Sequence, residues 1–132
     1  MPTLLANGRV TLKGLEAALA AVWSRGTSAD PDSWSDDNPA SGQCAVTALV
    51  VQDYLGGELR RGEAGLISHY WNVLPSGDEV DLTRHQFDDG VEIANIEPRT
   101  RDYLLSHAET VRRYNDLARA VRDRLRLPPQ MR

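Results

Sequence analysis

The segment Cys44-Ala45-Val46-Thr47-Ala48-Leu49-Val50-Val51-Gln52-Asp53-Tyr54-Leu55 constrains this chain more than any other. It is strongly apolar, and Gly56-Gly57 stops it at helical length. A helix apolar on nearly all sides has to lie at the centre of a fold and be covered by other elements. Its first residue is the chain's single cysteine. A sulfur there sits at a helix N-terminus, where unpaired backbone N–H groups and the helix dipole favour a thiolate.

The rest of the chain reads as the cover. The segment 12–23 places Leu12, Leu15, Leu19, Val22 and Trp23 on one face at helical spacing, with Thr11 as its N-cap. Residues 27–42 are polar and rich in Ser, Asp and Pro, a long loop of the kind that often carries function. A short strand is expected near Glu58-Leu59-Arg60. Two more are expected at His69–Leu74 and Glu79–Thr83, and a weaker one over Val91–Ile96, punctuated by Pro98. The segment Arg101–Leu125 is an amphipathic helix with an expected break near His107. The tail from Leu127 is expected to fray.

The fold class that follows is α+β, one domain over residues 1–132. The Cys44 helix packs on a small antiparallel sheet, and the N- and C-terminal helices flank it.

The turn Leu74-Pro75-Ser76-Gly77-Asp78 fixes a register. Pro followed by Gly suits a type I turn with a glycine bulge, which sets Leu74 opposite Asp78 and Trp71 opposite Asp81. His69 then shares a face with Asp81, one diagonal step away at roughly 7–8 Å between backbones. A two-residue loop would set Asn72 opposite Asp81 and flip the faces. In the first register Cys44, His69 and Asp81 form a candidate catalytic set. Cys44 is the nucleophile, His69 the proton carrier, and Asp81 the group that holds the imidazole. Gln43 and Asn38 are candidate oxyanion donors beside the Cys44 N–H, and Trp34 and Trp71 are candidate substrate walls.

Plainer readings stand beside these. A lone cysteine at the start of an apolar helix is most often a small buried hydrophobe. His69 reads equally as a core histidine, and Asp81 as a carboxylate for Arg84 or Arg60. Cys44, His69, Asp81 and His85 are zinc-ligand types, but no closely spaced Cys/His pair is present, so neither metal nor cofactor is expected. The arginines of the last helix alternate with Glu109, Asp116 and Asp123, the pattern of a solvated face.

Composition excludes several classes. At 41% hydrophobic and 26% charged residues, the chain is expected to be globular. A net charge of -4 argues against a nucleic-acid partner. No apolar stretch reaches membrane-spanning length, and residues 1–8 lack the pattern of a signal peptide. The lone cysteine suits a cytoplasmic setting.

The stretch Asn38-Pro39-Ala40-Ser41-Gly42-Gln43-Cys44 and its helix resemble the YunG-like family of small bacterial proteins. So do Ser68-His69-Tyr70-Trp71-Asn72, Glu79-Val80-Asp81-Leu82-Thr83-Arg84 and Gln86-Phe87, with Trp34-Ser35 and Arg113-Tyr114. The resemblance spans most of the chain and brings no settled substrate with it. A weaker similarity, in the order Cys, His, Asp, is to papain-like and transglutaminase-like enzymes. It implies a cysteine-dependent hydrolase or acyltransferase acting on a carbonyl of a small molecule or peptide. The alternative is a non-enzymatic binding or interaction domain with an idle triad.

Overall fold

In the computed structural model, which describes residues 10–126, Thr11 begins the first helix as its sequence suggests. Its hydroxyl accepts a hydrogen bond from the Gly14 N–H at 3.0 Å, satisfying one donor that a helix start leaves orphaned. Helix α1 spans Leu12–Val22 and helix α2 spans Cys44–Leu55. Strands β1 (Glu58–Ala64), β2 (Ile67–Val73), β3 (Glu79–Val80) and β4 (Ala94–Arg99) follow. A short helix α3 (Arg101–Leu104) and the long α4 (Ala108–Arg126) complete the described chain. The chain is α+β, with one antiparallel sheet in the order β3-β2-β1-β4. The expected frayed tail and the sequence read for a signal peptide lie outside the described residues.

Helix α2 is covered on two sides, as its all-round apolarity requires. Val46, Val50 and Val51 join Leu15 and Leu19 of α1 and Leu117, Val121 and Leu125 of α4 in one buried cluster. Ala48 and Leu49 join Leu59 of β1 and Leu104 of α3 in a second. Fully burying each such leucine or valine contributes about 1.5–3 kcal/mol relative to exposure. Two polar links fix how the layers sit. The Trp23 indole N–H donates to Thr47 Oγ1 at 2.9 Å, and Asn72 Nδ2 donates from β2 to the Ala48 carbonyl at 2.9 Å. Arg101 and Tyr114 then meet Asp53, tying α3 and α4 to α2.

The hairpin between β2 and β3 has the register its turn chemistry predicts. Asn72 pairs with Val80 and Val73 with Glu79, while the Leu74 N–H donates to the Asp78 carbonyl at 2.8 Å. Gly77 has φ +93°, the left-handed conformation that the bulge needs. The same register carried past the ladder brings Trp71 opposite Asp81.

β1 runs on to Ala64 and β2 begins at Ile67, and the other two strands differ more from expectation. β3 ends at Val80 instead of Thr83, because Asp81 opens a turn that leads into a 3₁₀ segment at Arg84–Gln86. β4 covers Ala94–Arg99 and contains Pro98, which was expected to end a strand over Val91–Ile96. β4 lies at the sheet edge, where a residue without an N–H is tolerated. Asn95, at φ +53°, lies in the stretch where the β1–β4 pairing shifts register. The last helix does break near His107, between α3 and α4.

Candidate functional site

Loop geometry delivers Cys44 to the sheet. The Ala29 N–H donates to the Gly42 carbonyl at 2.9 Å, and the Ser28 hydroxyl to the Ser41 carbonyl at 2.8 Å. The two ends of the long loop are thereby zipped together just before α2. Gly42 has φ +74°, and a Cβ there would lie 2.2 Å from Ser28 Oγ and 2.8 Å from the Asp30 nitrogen. Only glycine fits that crossing. Gln86 fastens the loop from the other side: its Oε1 accepts from the Gly42 N–H at 3.2 Å, and its carbonyl accepts from Asn38 Nδ2 at 3.1 Å.

The sulfur then meets a free strand edge. Because the Leu74 N–H bonds toward β3, alternate backbone groups at Asn72, Tyr70 and Ser68 point the same way. β3 is two residues long and covers only the start of that edge. Cys44 docks beyond it, with its thiol donating to the Ser68 carbonyl at 3.7 Å.

His69 and Asp81 come together as the register requires. His69 is fully buried, and its Nε2 lies 2.6 Å from Asp81 Oδ2. Trp71 stacks on the imidazole at 5.7 Å between centroids, and Phe87 meets it edge-on at 5.0 Å. The Trp71 N–H donates to Glu79 at 2.8 Å, so Trp71 holds the ring in place from the same face. Opposite His69 on β1 is Gly62, where a Cβ would strike Ile93 at 2.3 Å and Trp71 at 3.1 Å. The packing around the imidazole therefore rests on a residue without a side chain.

Nε2 is committed to Asp81, which leaves Nδ1 as the ring's free nitrogen. Nδ1 is buried and makes no formed hydrogen bond, although Cys44 is close enough to act on the imidazole. Burial pulls the His69 pKa down; the hydrogen bond to Asp81 and the proximity of Cys44 outweigh it and raise the pKa to about 9. At neutral pH the ring is an imidazolium, with the Asp81 carboxylate at Nε2 and Cys44 near enough to raise its pKa.

Cys44 is partly exposed and opens into a cavity of about 440 Å³. Ser68, Tyr70, Tyr103, His107 and Arg113 are among the residues that line it. A larger depression of about 660 Å³, around Leu59, Pro98 and Arg99, holds neither cysteine nor histidine. We place the site at the smaller cavity because Cys44 lines it; His69 is fully buried, and neither it nor Asp81 is among the lining residues.

The remaining candidate residues are placed elsewhere. Gln43 is fully buried, and its amide is engaged at both ends, accepting from Thr27 Oγ1 at 2.8 Å and donating to the Ser24 carbonyl at 2.9 Å. Asn38 is occupied with Gln86. Trp34 donates to the Pro39 carbonyl at 3.0 Å and lies under the Arg25 guanidinium. None of the three, nor Trp71, lines the Cys44 cavity. Gln43, at the N-cap of α2, makes no side-chain hydrogen bond to the first turn. His85 stands against Trp23 at 6.0 Å between centroids. Among the described residues no group of three or more His, Cys, Asp or Glu is placed to hold a metal ion. Among them also, no helix is long and apolar enough to cross a membrane.

The sequence pattern around Cys44, His69 and Asp81 extends to the whole described fold. The model of the family described as YunG protein matches residues 11–126. This chain belongs to the YunG family. It is similar to the uncharacterized protein YunG of Bacillus subtilis (strain 168), at 36% identity over 84 residues, covering 64% of this chain and 69% of that relative. No solved structure matches the chain. The matched span contains every element that builds the Cys44 cavity in this YunG-family chain, from α1 to the end of α4.

The walls that sequence reasoning had no signal for come from α3 and α4. Tyr103, His107, Thr110 and Arg113 read as helix-surface residues by periodicity. The docking of α3 and α4 against α2 turns them toward the cysteine.

Proposed function

We propose that this chain is a cysteine-dependent hydrolase or acyltransferase acting on an amide, ester or thioester carbonyl, with a papain-like or transglutaminase-like division of labour. One observation carries the reading. His69 bonds Asp81 through Nε2 at 2.6 Å and keeps Nδ1 unpartnered, with a partly exposed Cys44 near enough to raise the imidazole pKa. A histidine serving only to pack a core has both nitrogens satisfied or one facing water.

The chemistry follows from those positions. Transfer of the Cys44 proton to His69 gives a thiolate–imidazolium pair; the thiolate attacks the carbonyl carbon, and the oxyanion forms at the Cys44 N–H at the start of α2. The His69 imidazolium gives its Nδ1 proton to the departing amine, alkoxide or thiolate. The C–N, C–O or C–S bond breaks and leaves a thioester on Cys44. Water or another nucleophile then attacks, neutral His69 takes its proton, and the acid or transferred acyl product departs with the thiolate restored. Asp81 stays ionised and holds the ring in orientation. The small cavity suits a small molecule or the end of a peptide.

The test is labelling with a chloromethyl ketone or vinyl sulfone, read by mass spectrometry on the folded chain. The expected result is one label on Cys44, lost in Cys44→Ser with little change in Tm. Labelling only after unfolding overturns the reading and returns Cys44 to the core.

A further inference from the structure

The Cys44 cavity contains a cation that the reaction scheme does not use. Arg113 of α4 is half-buried and lines the cavity. Among the described residues it forms no ion pair. Its neighbour Arg112 takes both nearby acids, Glu109 and Asp116, at 3.2 Å each. Among the described residues Arg113 makes one side-chain hydrogen bond, from Nη2 to Thr110 Oγ1 at 3.3 Å, and its Nε is buried with no acceptor. Asp30 and His107 are the other ionisable side chains besides Cys44 and the tyrosines on the cavity wall, and Asp30 is exposed and makes no ion pair with Arg113.

A guanidinium without a carboxylate partner and partly withdrawn from water costs free energy. Burial accordingly presses the Arg113 pKa down, and Arg112 adds to it. Glu109 and Cys44 act in the other direction, which sets the sulfur within electrostatic reach of the guanidinium. The helix is held firmly while it bears this cost, because the next residue, Tyr114, is bonded to Arg101 and Asp53. A planar fork of N–H donors beside a nucleophile, paired among the described residues with one hydroxyl and no carboxylate, matches a carboxylate supplied by a ligand.

We propose that Arg113, with the Thr110 hydroxyl, receives a free carboxylate of the substrate, so that Cys44 acts on an amide, ester or thioester whose acyl or leaving group also bears an acid. The proposal rests on the cysteine chemistry proposed above and narrows its substrate class. Arg113 is a positioning and specificity residue, and the bond-breaking remains with Cys44 and His69.

The test compares iodoacetate with iodoacetamide on the intact chain. Both form the same S–CH₂ bond with loss of iodide, and only one carries a carboxylate. The readout is the ratio of the two rates, divided by the same ratio for N-acetylcysteine. A charge-assisted pair predicts a corrected ratio of about 10-fold or more in favour of iodoacetate. His69 contributes in both forms, so the deciding comparison is Arg113→Met, which should lose most of the preference, with Arg113→Lys restoring part of it. Succinate should slow the iodoacetate reaction of the unmodified chain more than inorganic phosphate does. A corrected ratio near one, or one unchanged in Arg113→Met, overturns the Arg113 assignment and leaves the cysteine chemistry standing. Protection by phosphate alone overturns the carboxylate. If neither reagent labels Cys44 in the folded chain, the enzymatic reading falls and this inference falls with it. The succinate measurement needs no variant, so a poorly folding Arg113→Met leaves the proposal testable.

Discussion

His69 on β2 and Asp81, one residue beyond β3, meet at 2.6 Å although they are not paired across the ladder. The contact is diagonal, and it exists because the Pro75-Ser76-Gly77 turn sets Trp71, not Asn72, opposite Asp81. One residue of slip would carry the carboxylate to the face of β2 that bonds α2 through Asn72.

The first prediction concerns pH. His69 should titrate near pH 9 by NMR, against an ordinary value of 6.5. Its folded pKa is raised, so its contribution to stability is full below about pH 6.5. That contribution falls between 6.5 and about 9 and is absent above. Tm measured across that window should decline more steeply than in His69→Gln. A His69 midpoint at or below 6.5 would contradict the Asp81 and Cys44 contacts.

Asp81→Asn tests the orienting role. The amide removes the charge and leaves a similar shape. The His69 pKa should drop, and Cys44 labelling at neutral pH should slow by about 10²–10⁴-fold if proton handling depends on the pair. Unchanged labelling would mean that Asp81 is a bystander.

Gln43 separates a strut from an oxyanion donor. Its amide joins Thr27 and Ser24 inside the fold. Gln43→Leu removes two buried hydrogen bonds and should destabilise by about 0.5–1.5 kcal/mol for each, since Thr27 and the Ser24 carbonyl keep each other as partners. The rate of labelling in the molecules that remain folded should be little changed. A large rate loss at unchanged Tm would restore Gln43 to the site.

Gly42→Ala should be severe for its size. The new methyl must enter a space where Ser28 Oγ stands at 2.2 Å, on a backbone with φ +74°. Destabilisation of more than about 1–3 kcal/mol is expected from the backbone strain alone, before any clash with the loop. A Tm within a degree of the unmodified chain would show that the loop crossing is not tight.

The sequence by itself determined the elements whose signals are local. The apolar run closed by Gly56-Gly57 defined α2 and put Cys44 at its head; the spacing of Leu15 and Leu19 and the cap at Thr11 defined α1. Turn chemistry at Pro75-Ser76-Gly77 determined the hairpin register, and through it the meeting of His69 and Asp81. These are properties of neighbours along the chain, where backbone conformation and side-chain period decide. Tertiary structure alone decided what the long loop does and what lines the cavity. Gln43, Asn38 and Trp34 carry donors and rings that suit a site, but the loop folds back on Ser28 and Gln86 and uses them for its own support. Pro98 entered a strand because β4 lies at an edge, a fact of sheet order. Arg113 reads as one more arginine on a charged helix until α4 packs against α2 through Leu117 and Val121 and faces it toward Cys44. The physical reason is the same in each case: a side chain's environment is set by which distant surfaces are buried against each other, and no local pattern encodes that choice.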